Sequence, residues 1–193
     1  MGSRPDLCES VCLLSRFQDK ANNSLYKALK RVLRYIQGTL NLKLVFKPDD
    51  KDVLVGYVDS AWGGDSVDRK STTGFVFKFF NCTIAWSSKK QLTVALSSTE
   101  SEYIALSLAI TEACWLRKIM CDFNFCIDKP ITIFEDNKSA ICLANNPENN
   151  KRLKHIDVKF YFIKEKIEEG IVKVVYIKSE DQLGSVYKTL GSN

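Results

Sequence analysis

This chain has a single histidine, His155, and no two of its cysteines stand as a CxxC pair. Cys8 and Cys12 fall at helical i, i+4 spacing, but a zinc site needs a tighter cluster of soft ligands than one histidine can complete. The seven cysteines, an odd number, therefore read as reduced and mostly buried thiols. Long apolar runs are missing too: none reaches the ~18 residues that cross a bilayer. The stretch MGSRPDLCES has no apolar signal core, and Asp6 stands where a myristoylation signal carries Ser or Thr. These absences predict a protein that stays inside the cell and off membranes. Charge of one sign is not in large excess either, since a net +5 says little about partners by itself.

What the chain does have is the material for a real core. Its 193 residues are 45% hydrophobic and 26% charged, enough for one domain of ordinary size, or one domain plus a fragment of another. LYKALKRVLRYIQG (25–38) predicts an amphipathic helix with Leu25, Leu29, Val32, Leu33 and Ile36 on one face. Lys27, Lys30, Arg31 and Arg34 line the other, as a solvated or a phosphate-tracking surface. NLKLVFK (41–47) alternates as a short strand, and KPDDKD (47–52) reads as a linker.

Strand patterns dominate after that. VLVGYVDS (53–60) comes first, then TTGFVFKFF (72–80) and TIAWSS (83–88), with a tight turn expected at 81–82. Ser97 and Glu100 have capping-box spacing, so a helix starts near 98 and runs to about Met120. Its apolar stripe is Tyr103, Leu106, Ala109, Ile110, Ala113 and Leu116. ITIFEDN (131–137) is a fourth strand and SAICLANN (139–146) a short helix. KRLKHIDVKFYFIKEKIEEG (151–170) is a longer helix closed by Gly170, IVKVVYIK (171–178) a fifth strand, and a short tail follows. The order predicts an α/β fold with a mixed five-stranded sheet.

Three acids stand out by position. Asp59 ends the first strand, Asp136 the fourth, and Glu102 lies early in the long helix. Each alone reads as a turn residue, a cap or a helix N-terminal charge. If the first and fourth strands are neighbours, the helix can bring all three together. Each pair of carboxylates ~4 Å apart then costs about 4 kcal/mol at an effective dielectric near 20. A shared proton or divalent cations must offset that repulsion, and hard oxygen donors favour Mg²⁺ or Mn²⁺ over zinc.

YVDSAW, DRKSTTGF, WSSKKQ, ALSSTESEYIAL, EDNKSAICLANNP and KHIDVKFYFIKE, in this order, resemble the ribonuclease H domain of copia-type retrotransposon Pol polyproteins. The resemblance covers about 53–190. RPDL (4–7) and LYKALKRVLRYIQGTL (25–40) look like the end of the same polyprotein's reverse transcriptase. The resemblance implies a reverse transcriptase remnant over 1–50 as an N-terminal helical extension, and over 51–193 a ribonuclease H-like sheet of three antiparallel strands with parallel additions. It makes Asp59, Glu102 and Asp136 the catalytic, metal-holding carboxylates, with Glu100 left to the cap. Family members carry a fourth aspartate in a motif like QLADIFTK. Here QLGSVYKT puts Ser185 in that place, a neutral and poorer ligand, with Asp181 four residues earlier as a weak substitute.

The implied function is Mg²⁺- or Mn²⁺-dependent hydrolysis of the RNA strand of RNA/DNA hybrids by a two-metal mechanism, impaired by Ser185. The alternative is a pseudo-nuclease that binds nucleic acid without cutting, or a transposon relic. Implied partners are an RNA/DNA hybrid or other nucleic acid and a reverse transcriptase; implied locations are cytoplasm, virus-like particle or nucleus. Arg69, Lys70, Ser71 and Thr72 after the first strand, and Lys89 and Lys90 after the third, are candidate phosphate contacts. Asn137 and Ser139 are candidate sugar or phosphate contacts, with helix capping as their other reading. His155 is expected to pack or to make a helix-surface hydrogen bond; Trp62, Trp86 and Trp115 read as core or edge aromatics, and Trp86 could also stack on nucleic acid.

Overall fold

The structure is a computed structural model that describes residues 2–20, 22–46, 54–65, 67–125, 127–145 and 157–184. Strands β1 (Leu54–Ala61), β2 (Thr72–Phe79) and β3 (Cys82–Lys90) form an antiparallel meander. Phe80 and Asn81 join β2 to β3 with φ of 45° and 61°. A two-residue hairpin loop wants this left-handed pair, because its twist matches that of the strands. The turn therefore sits one residue earlier than its expected place at 81–82.

Strands β4 (Ile131–Glu135) and β5 (Val172–Tyr176) add in parallel, giving the order β3-β2-β1-β4-β5. Helix α3 (Ser98–Asp122) lies over this sheet. The Ser97 side chain caps it by accepting the Glu100 N–H at 3.1 Å, and Glu100 in turn accepts the Leu96 N–H at 2.8 Å. The reciprocal pair has capping-box spacing, with the carboxylate reaching one residue further back than the cap. The predicted stripe, from Tyr103 to Leu116, is buried against Val58, Phe75, Phe77, Ile131 and Ile133. Helices α4 (Lys138–Asn145) and α5 (Asp157–Glu168) complete the core through Ala144, Phe160 and Ile163. Gly170 follows α5 at φ +66°, and the Ile171 N–H closes back on Lys166 O at 3.0 Å. The first residues of the predicted 151–170 helix lie outside the described residues.

The N-terminal part has helices α1 (Cys8–Ser15) and α2 (Asn23–Gly38). Helix α1 packs on β3 and α2 on α1, while Arg16 reaches Asp65 at 3.8 Å and Thr72 Oγ1 at 3.4 Å. No residue of α2 is buried, so the basic amphipathic pattern there covers little core. The expected strand at 41–47 does not form over the described 42–46. Leu42, Val45 and Phe46 are exposed, and the Val45 carbonyl accepts from the Cys82 side chain, Sγ, at 3.2 Å rather than from a strand's backbone. Alternation supplied the pattern, but no backbone among the described residues pairs with it in a ladder. Among the described residues no helix is long and apolar enough to cross a membrane.

Candidate metal centre

Because β1 and β4 are parallel neighbours, their C-terminal ends lie side by side. This brings Asp59, inside β1, next to Asp136, which directly follows β4. Helix α3 packs on β1 and delivers Glu102 to the same point. Each of the three offers one carboxylate oxygen, and these oxygens all lie within 4.8 Å of one another. Asp59 and Glu102 are only 2% and 7% exposed, so the repulsion between them is poorly screened.

Neighbouring side chains hold the arrangement. Ser60 and Ser101 share a buried hydrogen bond of 2.7 Å. Gln91 donates to Thr73 Oγ1 at 3.0 Å and to Ser101 O at 2.9 Å, tying β2 and the end of β3 to α3. Ser179 Oγ donates to Asp136 Oδ2 at 2.7 Å. Strand β1 also accommodates close backbone approach here. Gly74 pairs with Asp59 across the sheet, and a Cβ on it would come within 3.2 Å of the Gly184 carbonyl.

A fourth carboxyl, Glu135, was not among the expected site residues. It is fully buried, and its Oε1 accepts the Asn137 N–H at 3.0 Å. Burial pushes its carboxyl well above the usual carboxylate range; the nearby charge of Glu102 adds to this, and the Asn137 N–H works against it. Period two could have found it, since Ile131 and Ile133 face the core and Glu135 continues their side. Ser179 carried no such signal, because its partner is 43 residues away.

The expected nucleic-acid contacts fall in two places. Lys89 and Arg69 are exposed. Lys90 pairs with Asp65 at 2.5 Å and with Asp68 at 2.8 Å, and Lys70 lies 3.9 Å from Asp68. Lys90 and the N–H groups of Val67 and Asp68 hold the Asp65 carboxyl down to about 2. Ser71 is buried and its Oγ accepts the Gly63 N–H at 3.1 Å, while Thr72 receives Arg16. Asn137 Oδ1 accepts the N–H groups of Ser139 and Ala140 at 2.9 and 3.1 Å, capping α4; the Ser139 side chain is exposed. Of the core and edge readings, Trp62 and Trp115 take the edge: each is 54% exposed, and Trp62 donates from Nε1 to Ala95 O. Ser185 and His155 lie outside the described residues. Asp181 is exposed and does not join the three-carboxylate cluster.

The donor set suits a hard divalent ion. Ligands on opposite sides of Mg²⁺ stand about 4.2 Å apart, so oxygens within 4.8 Å need only small side-chain rotations to meet one ion. Among the described residues neither His nor Cys belongs to the cluster.

No protein-family model matches the chain. It is 37% identical over 179 residues to the retrovirus-related Pol polyprotein from transposon TNT 1-94 of Nicotiana tabacum, covering 93% of this chain and 13% of that protein. It is 50% identical over 114 residues to the secreted RxLR effector protein 161 of Plasmopara viticola, covering 59% of this chain and 80% of that one. The chain thus spans about an eighth of the Pol relatives it matches. Among solved structures, LC11-RNase H1 in complex with RNA/DNA hybrid superposes with a TM-score of 0.50 at 16% identity, covering 67% of this chain and 88% of that one. The fold is ribonuclease H-like.

Proposed function

The chain belongs to the Pol polyprotein family of copia-type retrotransposons, and on that premise we propose that it is the ribonuclease H domain, cutting the RNA strand of RNA/DNA hybrids weakly or not at all. The observation that carries this reading is the convergence of Asp59, Glu102 and Asp136 on one point of a ribonuclease H-like sheet. Residues 1–50 are the end of a reverse transcriptase and 51–193 the nuclease unit; the absence of any buried residue in α2 supports that division.

The three carboxylates would hold Mg²⁺ or Mn²⁺. Asp59 would serve both ions of a two-metal site, and Glu102 and Asp136 would serve the leaving-group side. Such ions polarise a phosphoryl oxygen and lower the pKa of bound water. The protein's own part is to fix the oxygens before substrate arrives. Asp59 sits on a central strand, Glu102 on a helix clamped by the Ser60–Ser101 bond, and Asp136 is oriented by Ser179. Exposed Lys89 and Arg69 would track phosphates, with Asn137 and Ser139 near the sugar. Lys90 would contribute mainly by ordering the 65–70 turn, since its charge is already engaged by two aspartates.

Ser185 at the family's fourth carboxylate position favours the second reading, a nucleic-acid binder that does not cut. A hydroxyl brings no charge to the nucleophile-side ion, so that ion would bind weakly. The test uses the full chain with a labelled RNA/DNA hybrid in Mg²⁺ and in Mn²⁺. The native chain should cut weakly or not at all, Ser185→Asp should gain cutting, and Asp59→Asn should lose what there is. Strong native cutting that survives Asp59→Asn would overturn the nuclease reading. A steep fall of hybrid affinity with salt would mark a binder that tracks phosphates.

A further inference from the structure

The β1–β4 ladder runs through Val55–Thr132, Gly56–Ile133 and Tyr57–Phe134, and stops there. Beyond this point β4 stays with β5, pairing Glu135 with Tyr176, while β1 stays with β2, pairing Asp59 with Gly74. The two strands part just before each reaches its site carboxylate. Such a fork carries the Val58 carbonyl past the last β1–β4 pairing, in a place where unpaired polar groups are costly.

Gln182 fills the fork. It is 1% exposed, and its Nε2 donates to Val58 O at 2.9 Å and to Phe134 O at 3.3 Å. Its Oε1 accepts the Gly184 N–H at 3.2 Å. Both hydrogens and the oxygen of the carboxamide are therefore used, one hydrogen for each strand. The carbonyls it holds belong to the residue before Asp59 and to the residue two before Asp136. The same carboxamide presses Gly184 onto Asp59: a Cβ on Gly184 would stand 3.1 Å from Asp59 Cβ and 3.2 Å from Asp59 N. Three residues earlier, Ser179 on the same segment orients Asp136.

We propose that Gln182 is a positioning residue that sets the spacing of Asp59 and Asp136, and through it the affinity of the site for divalent ions. The inference rests on the reading of those carboxylates as metal ligands. Gln182 touches no ion and no substrate; it acts through the backbone of the two strands that carry the ligands. Groups that orient metal ligands in this indirect way commonly change metal affinity by about tenfold or more when removed.

Mn²⁺ binding to the full chain, titrated by electron paramagnetic resonance, tests it. Gln182→Met keeps the length and apolar bulk but has no N–H group. Gln182→Asn keeps the carboxamide but is one methylene too short to serve both strands. Each should weaken Mn²⁺ binding about tenfold. Gly56→Ala, which strains the opposite end of β1 against Phe77, controls for a general loss of stability and should leave Mn²⁺ affinity unchanged while the protein is folded. A folded Gln182→Met or Gln182→Asn protein that binds Mn²⁺ with native affinity would overturn the inference, and so would an equal loss in Gly56→Ala. No Mn²⁺ binding by the native chain would instead overturn the metal-site reading itself, and Asp59→Asn provides the reference for that outcome.

Discussion

Ser60 and Ser101 share a buried hydrogen bond 2.7 Å long, and each is the chain neighbour of a site carboxylate, Ser60 following Asp59 and Ser101 preceding Glu102. One polar contact between β1 and α3 thus fixes two charged groups that would otherwise push apart. Replacing either serine by alanine removes the shared bond from a buried place, which should cost about 1–2 kcal/mol. The double variant should cost less than the two single ones added together, because a pair removed as a unit leaves nothing unsatisfied. Urea unfolding of the four proteins in a double-mutant cycle measures the coupling; additive losses would show that the bond carries no specific energy.

Gly56 sits opposite Phe77, and a Cβ there would stand 2.6 Å from the Phe77 ring. That ring is fully buried in the core. Gly56→Ala should therefore destabilise the fold by about 1–3 kcal/mol, and Phe77→Leu in the same chain should recover part of the loss. Unfolding midpoints of the single and double variants decide it.

Asp65 gives an acid-side dependence. Its carboxyl is lowered from 3.8 to about 2 by Lys90 and two backbone N–H groups. A depressed acid contributes stability that is complete above its unfolded value and is lost as pH falls through the folded one. The loss should run from about pH 4 down to about pH 2. Asp65→Asn should flatten that limb and cost roughly 1–2 kcal/mol at pH 7, after allowing for the partial exposure of Lys90. Thermal unfolding between pH 2 and pH 5 shows whether the limb disappears.

Glu135 acts in the opposite direction. Its carboxyl is raised well above 4.5 by burial, with Glu102 adding to the effect. A raised acid costs the fold stability as pH climbs above the unfolded value, since the unfolded chain ionises first. Without divalent ions, the native chain should lose stability from about pH 4.5 upward, and Glu135→Gln should be the more stable protein at pH 7. Denaturation midpoints of the two proteins against pH test this; parallel curves would rule it out.

Much of the fold was legible because each element repeats its signal locally. β-Branched and aromatic residues recur in 54–61, 72–79 and 131–135, and Ser97 with Glu100 marks the start of α3 within four residues. The alternation of 41–47 misled for the same reason: a strand needs a partner backbone, which no local pattern can guarantee. Asp59, Glu102 and Asp136 could be picked out as acids at strand ends and at a helix start. Gln182 and Ser179 could not, because what they do depends on a backbone carbonyl 124 residues away and a carboxylate 43 residues away.

Apart from 41–47, the sequence by itself determined which segments become strands and helices, which helix face is apolar, and which acids lie near element ends, since these follow from side-chain period and capping within a few residues. Tertiary structure alone decided that β4 joins β1 in parallel and then parts from it, that a glutamine closes the gap, and that Glu135 comes to lie beside the other carboxylates. Those outcomes depend on how distant segments share one core and on where buried polar groups find their partners, and neither is written into any short stretch of chain.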